Sequence, residues 1–126
     1  MPLSAGSTFL LPIRVEWVDH LWILLTSVDS NGKILMVNLT SAKPHSDRTT
    51  VLQVGDHPFV TRETTVNYGD AIIAELRHIM RAIDANLGEK REDASTDLLK
   101  RLREGFLTSP YTKNSLKDYL REQLAK

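Results

Sequence analysis

Four histidines, His20, His45, His57 and His78, are the scarcest chemically versatile side chains in a sequence that has no cysteine. Without thiols, disulfide scaffolds, thiolate metal sites and cysteine nucleophiles are excluded. The histidines lie too far apart for a spacing-defined metal site; a metal would require folding to gather them, and neither metal nor other cofactor is expected. P-loop, dinucleotide-binding glycine turn, His-Glu-x-x-His, EF-hand and Gly-x-Ser-x-Gly patterns are all missing. The remaining candidates are polar residues at the ends of apolar runs. They are Asp19-His20, then Asn38-Leu-Thr-Ser41 with the loop Ala42 to Arg48, then Gly55-Asp-His-Pro-Phe59, and Tyr68. An imidazole beside hydroxyls and a basic loop is equipment for proton transfer at a phosphodiester.

Each of these residues also has a structural reading. His20 can cap a sheet end and bond Asp19, and His57, confined to extended backbone by Pro58, can be a turn residue. Thr40 and Ser41 form turns readily, and Tyr68 can be packing. His78 reads as a surface residue and His45 as part of a loop. Trp17 and Trp22 can stack on bases, although Trp22 sits inside an apolar run and reads as core.

Positioning falls to elements that change character near Tyr68, with β texture before it and α texture after. Leu21 to Ser27 and Lys33 to Thr40 are short apolar runs flanking Asp29-Ser-Asn-Gly32, and Asn-Gly predicts a tight antiparallel hairpin. Counting outward from that turn brings His20 to Thr40 or Ser41. Thr49 to Val54 and Phe59 to Val66 read as a third and a fourth strand. Phe9 to Val18, broken by Pro12, reads as an edge strand or a loop. From Asp70, Ile72, Ile73, Leu76, Ile79, Met80, Ile83 and Leu87 recur at helical spacing, predicting a helix over Ala71 to Leu87 stopped by Gly88. Glu89 to Ser95 reads as a solvated connection. A second helix starts near Ser95 and presents Leu98, Leu99, Leu102, Phe106 and Leu107. A third is signalled by Ser115 with Asp118, after Ser109-Pro110.

With 126 residues, 41% hydrophobic and 25% charged, the chain reads as one α+β domain over 1–126, mainly β over 1–68 and mainly α over 69–126. The expected architecture is a strongly bent antiparallel sheet or barrel with helices on one side. Sixteen basic residues balance sixteen acidic ones, so a polyanion would have to be held by a local cleft. No apolar run reaches membrane-spanning length, and no secretory signal pattern is visible. The expectation is a cytoplasmic protein without membrane contact.

The order His20-Leu-Trp-Ile-Leu-Leu-Thr, an Asn-Gly turn, Ile34-Leu-Met-Val-Asn-Leu-Thr-Ser41, a polar loop and a further strand resembles the PemK/MazF-type toxins of toxin-antitoxin modules. The similarity runs from about Pro12 to Gly69. It implies a small antiparallel SH3-like β barrel followed by about three C-terminal helices, usually a homodimer, that cuts single-stranded RNA without a metal and is silenced by an antitoxin protein. Thr40 or Ser41 matches the family's hydroxyl at the second strand's end. His20 stands where the family has arginine, with Leu21 in place of the following proline. An imidazole there replaces a bidentate phosphate donor with a group that can also transfer protons.

Two functions from different classes follow. The first is a metal-independent endoribonuclease in which the RNA 2′-OH is the nucleophile. His20 and His57 divide the base and acid roles, either way round, while Arg48 or Lys43 neutralises phosphate charge and Thr40, Ser41 and Tyr68 orient it. His20, Thr40 or Ser41, and His57 would lie within about 10 Å of one another around one concave surface, and two imidazoles dividing the base and acid roles would give a bell-shaped pH profile. The second is a noncatalytic SH3-like module that binds a protein through its cleft or its helical stripe.

Overall fold

The structure, a computed structural model, describes residues 3–11 and 20–126. Its elements are β1 (Thr8–Leu11), β2 (His20–Leu24), β3 (Lys33–Ser41), β4 (Val51–Leu52), β5 (Thr64–Glu75), α1 (Leu76–Asp84), β6 (Glu89–Arg91), α2 (Thr96–Thr108) and α3 (Asn114–Leu124). The strands form one curled, antiparallel, six-stranded sheet in the order β4-β5-β3-β2-β1-β6, so the fold is α+β. No helix among the described residues is long and apolar enough to cross a membrane.

Turn chemistry builds the central hairpin as expected. Asp29 Oδ1 accepts from the N–H groups of Asn31 and Lys33, and the Asp29 N–H donates to the Lys33 carbonyl at 2.8 Å. Those bonds set a register in which Trp22 faces Asn38 and Leu24 faces Met36. Both faces of the hairpin are buried, which is why β2 and β3 read as nearly continuous apolar runs and do not alternate. Leu21, Ile23, Leu35, Val37 and Leu39 join Leu98, Leu102 and Phe106 of α2 and Leu120 of α3 in one core. Trp22, Leu24, Ile34 and Met36 join Phe9, Leu11 and Ile79 of α1 in a second. Helices therefore cover both sides of the sheet, where the sequence suggested one.

The largest departure from expectation lies between Asp70 and Glu75, which are strand and not helix. Met36 pairs with Ile72 and Ile34 with Ala74, so alternate residues of this stretch serve the second core. The neighbouring β-branched Ile72 and Ile73 suit a pleated surface. Only from Leu76 does the three-to-four spacing describe a helix. The register against β3 shifts between Met36 and Asn38, leaving Tyr68 to Ala71 bulged opposite Val37. The helix ends at Asp84, and Asn86, whose φ of 59° is left-handed, turns the chain away from it two residues before Gly88. Gly88 serves a close approach, since a side chain there would run into Leu11.

Smaller differences have equally local causes. Part of the expected connection Glu89 to Ser95 is β6, paired with β1, so β1 has neighbours on both sides and is not an edge; Pro12 to Val18 fall outside the described residues. The third strand is shorter at both ends than read, since β4 keeps only Val51–Leu52, and the fourth starts later, since β5 begins at Thr64. Ser95 caps α2 as expected, its hydroxyl accepting from Leu98 N–H at 3.0 Å. Lys113, not Ser115, precedes α3, and Asp118 pairs with Arg121. Tyr119 of α3 donates to Asp29 Oδ2 at 2.8 Å, tying the last helix to the first hairpin.

α2 meets the sheet through a polar contact inside the first core. The Tyr68 hydroxyl donates to the Leu102 carbonyl at 3.0 Å and accepts from Thr50 at 2.7 Å. Gly105 lies over both hydroxyls, and a Cβ there would overlap them. Gly105→Ala is therefore expected to destabilise the fold by about 1–3 kcal/mol through overpacking, read as a lower thermal midpoint.

Candidate functional site

The β2–β3 pairing runs out to Trp22 opposite Asn38, and two residues further His20 and Thr40 come to one groove at the end of the central hairpin. The His20 ring is anchored by its Nδ1–H, which donates to the Leu39 carbonyl at 2.9 Å. Because a carbonyl can only accept, Nδ1 carries a hydrogen, and in the neutral ring the lone pair is then on Nε2. His20 lines an open groove of about 680 Å³ with Thr40, Ser41, Lys43, Arg62 and Arg91, over a wall formed by Pro58 and Phe59. Its described lining holds three cationic side chains, of which Arg91 also pairs with Glu92 at 3.7 Å behind the groove, and no lining carboxylate. Such a lining suits an anion, and the strand-end hydroxyls add neutral donors.

His57 is not part of that lining. It is 3% exposed, and both ring nitrogens are engaged: Nδ1 accepts from Phe59 N–H at 3.0 Å, and Nε2–H donates to the Glu92 carbonyl at 2.6 Å. The expectation that His20 and His57 share one phosphate is corrected accordingly, because His57 offers neither nitrogen to a substrate. It follows β4 in the chain while Glu92 follows β6, so the ring joins the two edges of the curled sheet. Thr8 donates to the same Glu92 carbonyl at 2.6 Å. Arg91 then passes over the Phe59 ring, 5.8 Å from its centroid, and reaches the groove.

The other expected residues divide in the same way. Lys43 lines the groove, whereas Arg48 lies outside it, ion-paired to Glu63 at 2.9 Å. Tyr68 is 1% exposed and bonded within the core, so it does not reach the groove to orient a substrate. Burial pushes its phenol well above the ordinary range, against the opposing Thr50 hydrogen bond. Trp22 is buried, and His78 is exposed beside Glu75. Arg62 and Arg91 were missed by sequence reasoning. Arg91 sits in what read as a polar connection, and only the pairing of β6 with β1 brings it to the site.

The loop carrying Lys43 is held from both ends. Within it, Lys43 N–H donates to the Ser46 hydroxyl at 2.9 Å. Beyond it, Asp47 Oδ2 accepts from the Ser109 hydroxyl at 2.6 Å, and Oδ1 accepts from the Thr49 hydroxyl and N–H. Burial alone would raise the Asp47 carboxyl, but these hydrogen bonds outweigh it and hold the group below its ordinary value.

Among the described residues, no three His, Asp or Glu side chains are grouped to hold a metal ion. No family model matches the chain, and no curated protein matches it either.

Two outcomes are expected from these contacts. His57→Ala should lower stability by about 1–3 kcal/mol in chemical denaturation, because it strands the Phe59 N–H and leaves the Glu92 carbonyl with Thr8 as its one remaining donor of the two. The Asp47 carboxyl ionises at lower pH in the folded chain than in the unfolded one. Its contribution is therefore complete above about pH 4 and fades as pH falls below that, so the difference in thermal midpoint between the protein and Asp47→Asn should shrink on acidification.

Proposed function

We propose that the chain is a metal-independent endoribonuclease of the PemK/MazF type that cuts single-stranded RNA by 2′-OH transesterification. The observation that carries this reading is the anchored imidazole of His20 in a groove lined by Lys43, Arg62 and Arg91 without a carboxylate among the described residues. The curled sheet, with its two edges joined by His57, is compatible with an SH3-like barrel, the fold that the resemblance implies.

In this mechanism the Leu39 carbonyl holds the Nδ1–H tautomer, which leaves Nε2 as the general base. His20 takes the proton of the 2′-OH as the 2′-oxygen bonds to phosphorus. The bond from phosphorus to the 5′-oxygen breaks, and that oxygen takes a proton from water in the open groove. The products are a 2′,3′-cyclic phosphate and a 5′-hydroxyl. Lys43, Arg62 and Arg91 offset the charge that develops on the equatorial oxygens, and Thr40 and Ser41 donate hydrogen bonds to them. Neutral net charge is no obstacle when the cations are concentrated in one cleft. An antitoxin protein would silence the site by laying an acidic segment along the same cations, and a homodimer is the assembly the resemblance implies.

His20→Gln is expected to lower cleavage of a single-stranded RNA by about 10²–10⁴-fold with an unchanged thermal midpoint. RNA carrying 2′-deoxyribose before the cut should bind and resist cleavage, and chelator should leave the rate unchanged. With a single imidazole in the groove, the pH–rate profile should have one limb and not the bell expected of two. Cleavage that survives either His20→Gln or the 2′-deoxy substrate would overturn the mechanism. A folded protein that cleaves no RNA, yet forms a stable complex with a protein, would favour the noncatalytic module.

A further inference from the structure

The groove is not the only cavity at this end of the sheet. A second one, of about 380 Å³, opens on the other side of Thr40 and Lys43, and these two residues line both. Its character is different. Asn67, just before the β5 bulge, and Gly69 within it form part of its wall, His45 and Asp47 of the Lys43 loop form another part, and Tyr111, from the turn between α2 and α3, borders it. The Tyr111 side chain is 63% exposed, yet its backbone is held: its N–H donates at 3.1 Å to the Ser109 hydroxyl, the same hydroxyl that donates to Asp47. Gly69 packs against the base of the Tyr111 side chain, where a Cβ would stand in ordinary contact, 3.6 Å from Tyr111 Cβ. The Asn67 amide donates to Asp70 at 3.0 Å, which leaves its carbonyl oxygen as an acceptor.

A large aromatic side chain on an anchored backbone at the rim of a cavity, with an amide acceptor in the wall, has the chemistry of a nucleobase site. The ring face stacks, and the acceptor takes an exocyclic amino group. We propose that this cavity is a nucleobase subsite, with Tyr111 as its stacking platform and Asn67 as a hydrogen-bond acceptor for the base. A nucleotide whose base occupies it reaches the groove with its phosphate, because Lys43 and Thr40 stand between the two. This inference rests on the RNA reading for its biological substrate, but its ligand, a nucleobase joined to a phosphate, can be tested without any cleavage.

The probes are AMP, CMP, GMP and UMP, titrated by calorimetry and by amide NMR, with ribose 5-phosphate as the ligand that lacks a base. At least one nucleotide is expected to bind more tightly than ribose 5-phosphate and to shift the Asn67 and Gly69 amides. Tyr111→Ala should weaken that nucleotide about tenfold and leave ribose 5-phosphate unaffected, while Tyr111→Trp preserves binding. Gly69→Val, which adds bulk to the wall next to Tyr111, should weaken it as well. The exposed position of Tyr111 predicts an unchanged thermal midpoint for its variants. Equal affinity of all four nucleotides and ribose 5-phosphate, or equal affinity of the protein and Tyr111→Ala, would overturn the subsite. If RNA is cleaved while Tyr111→Ala changes neither affinity nor base preference, the subsite fails and the ribonuclease reading stands. If nucleotides bind through Tyr111 and no RNA is cut, the ribonuclease reading fails and the subsite stands.

Discussion

The bond from His57 to the Glu92 carbonyl is the constraint on which the site depends. A six-stranded antiparallel sheet with short outer strands, β4 and β6, must either leave its edges open or bring them together. Here the curl brings the chain just after each edge strand within reach, and a buried imidazole spans the gap with both nitrogens engaged. Thr8, from β1, donates to the same carbonyl, so the junction is tied to the sheet interior as well. Pro58 and Phe59 follow directly and become a wall of the groove, and Arg91, one residue before Glu92, is carried over Phe59 into it. One histidine therefore shapes the groove in which another is presented.

The helical layer does comparable work from the opposite face. Tyr68 and Thr50 reach into α2 beside Gly105, which supplies the room for their hydroxyls. At the end of that helix, Ser109 donates to Asp47 and orients the turn that carries Tyr111. The loop of Lys43 and the turn of Tyr111 thus share one hydrogen-bonded node, which keeps the two cavities on either side of Thr40 in a fixed relation. Arg101 of α2 adds bonds to the Val51 carbonyl and to Asp56 on the β4 side. In a medium less polar than water, such bonds are strengthened and their geometry is restrictive.

A division of labour between the histidines follows from what each ring nitrogen touches. His20 gives one nitrogen to the Leu39 carbonyl and keeps the other for the groove, so it is oriented without being consumed by the fold. His57 has no such reserve. Equal residue types at comparable strand-end positions thereby acquire different roles. The difference lies in burial and partners, not in the neighbouring sequence.

By itself the sequence determined the central hairpin, the α2 start at Ser95 and the approach of His20 to Thr40. Those depend on contacts a few residues apart, namely turn hydrogen bonds, a helix cap and the register that a short turn imposes. Tertiary structure decided where β5 yields to α1, because Ile72, Ile73, Leu76 and Ile79 satisfy a helical stripe until β3 offers Ile34 and Met36 as partners. It also decided that Tyr68 is core, that His57 is structural and that Arg91 belongs to the groove. Each of those assignments rests on a contact with a residue more than 30 positions away, Leu102 for Tyr68, Glu92 for His57 and Phe59 for Arg91, and local pattern holds no record of such a meeting.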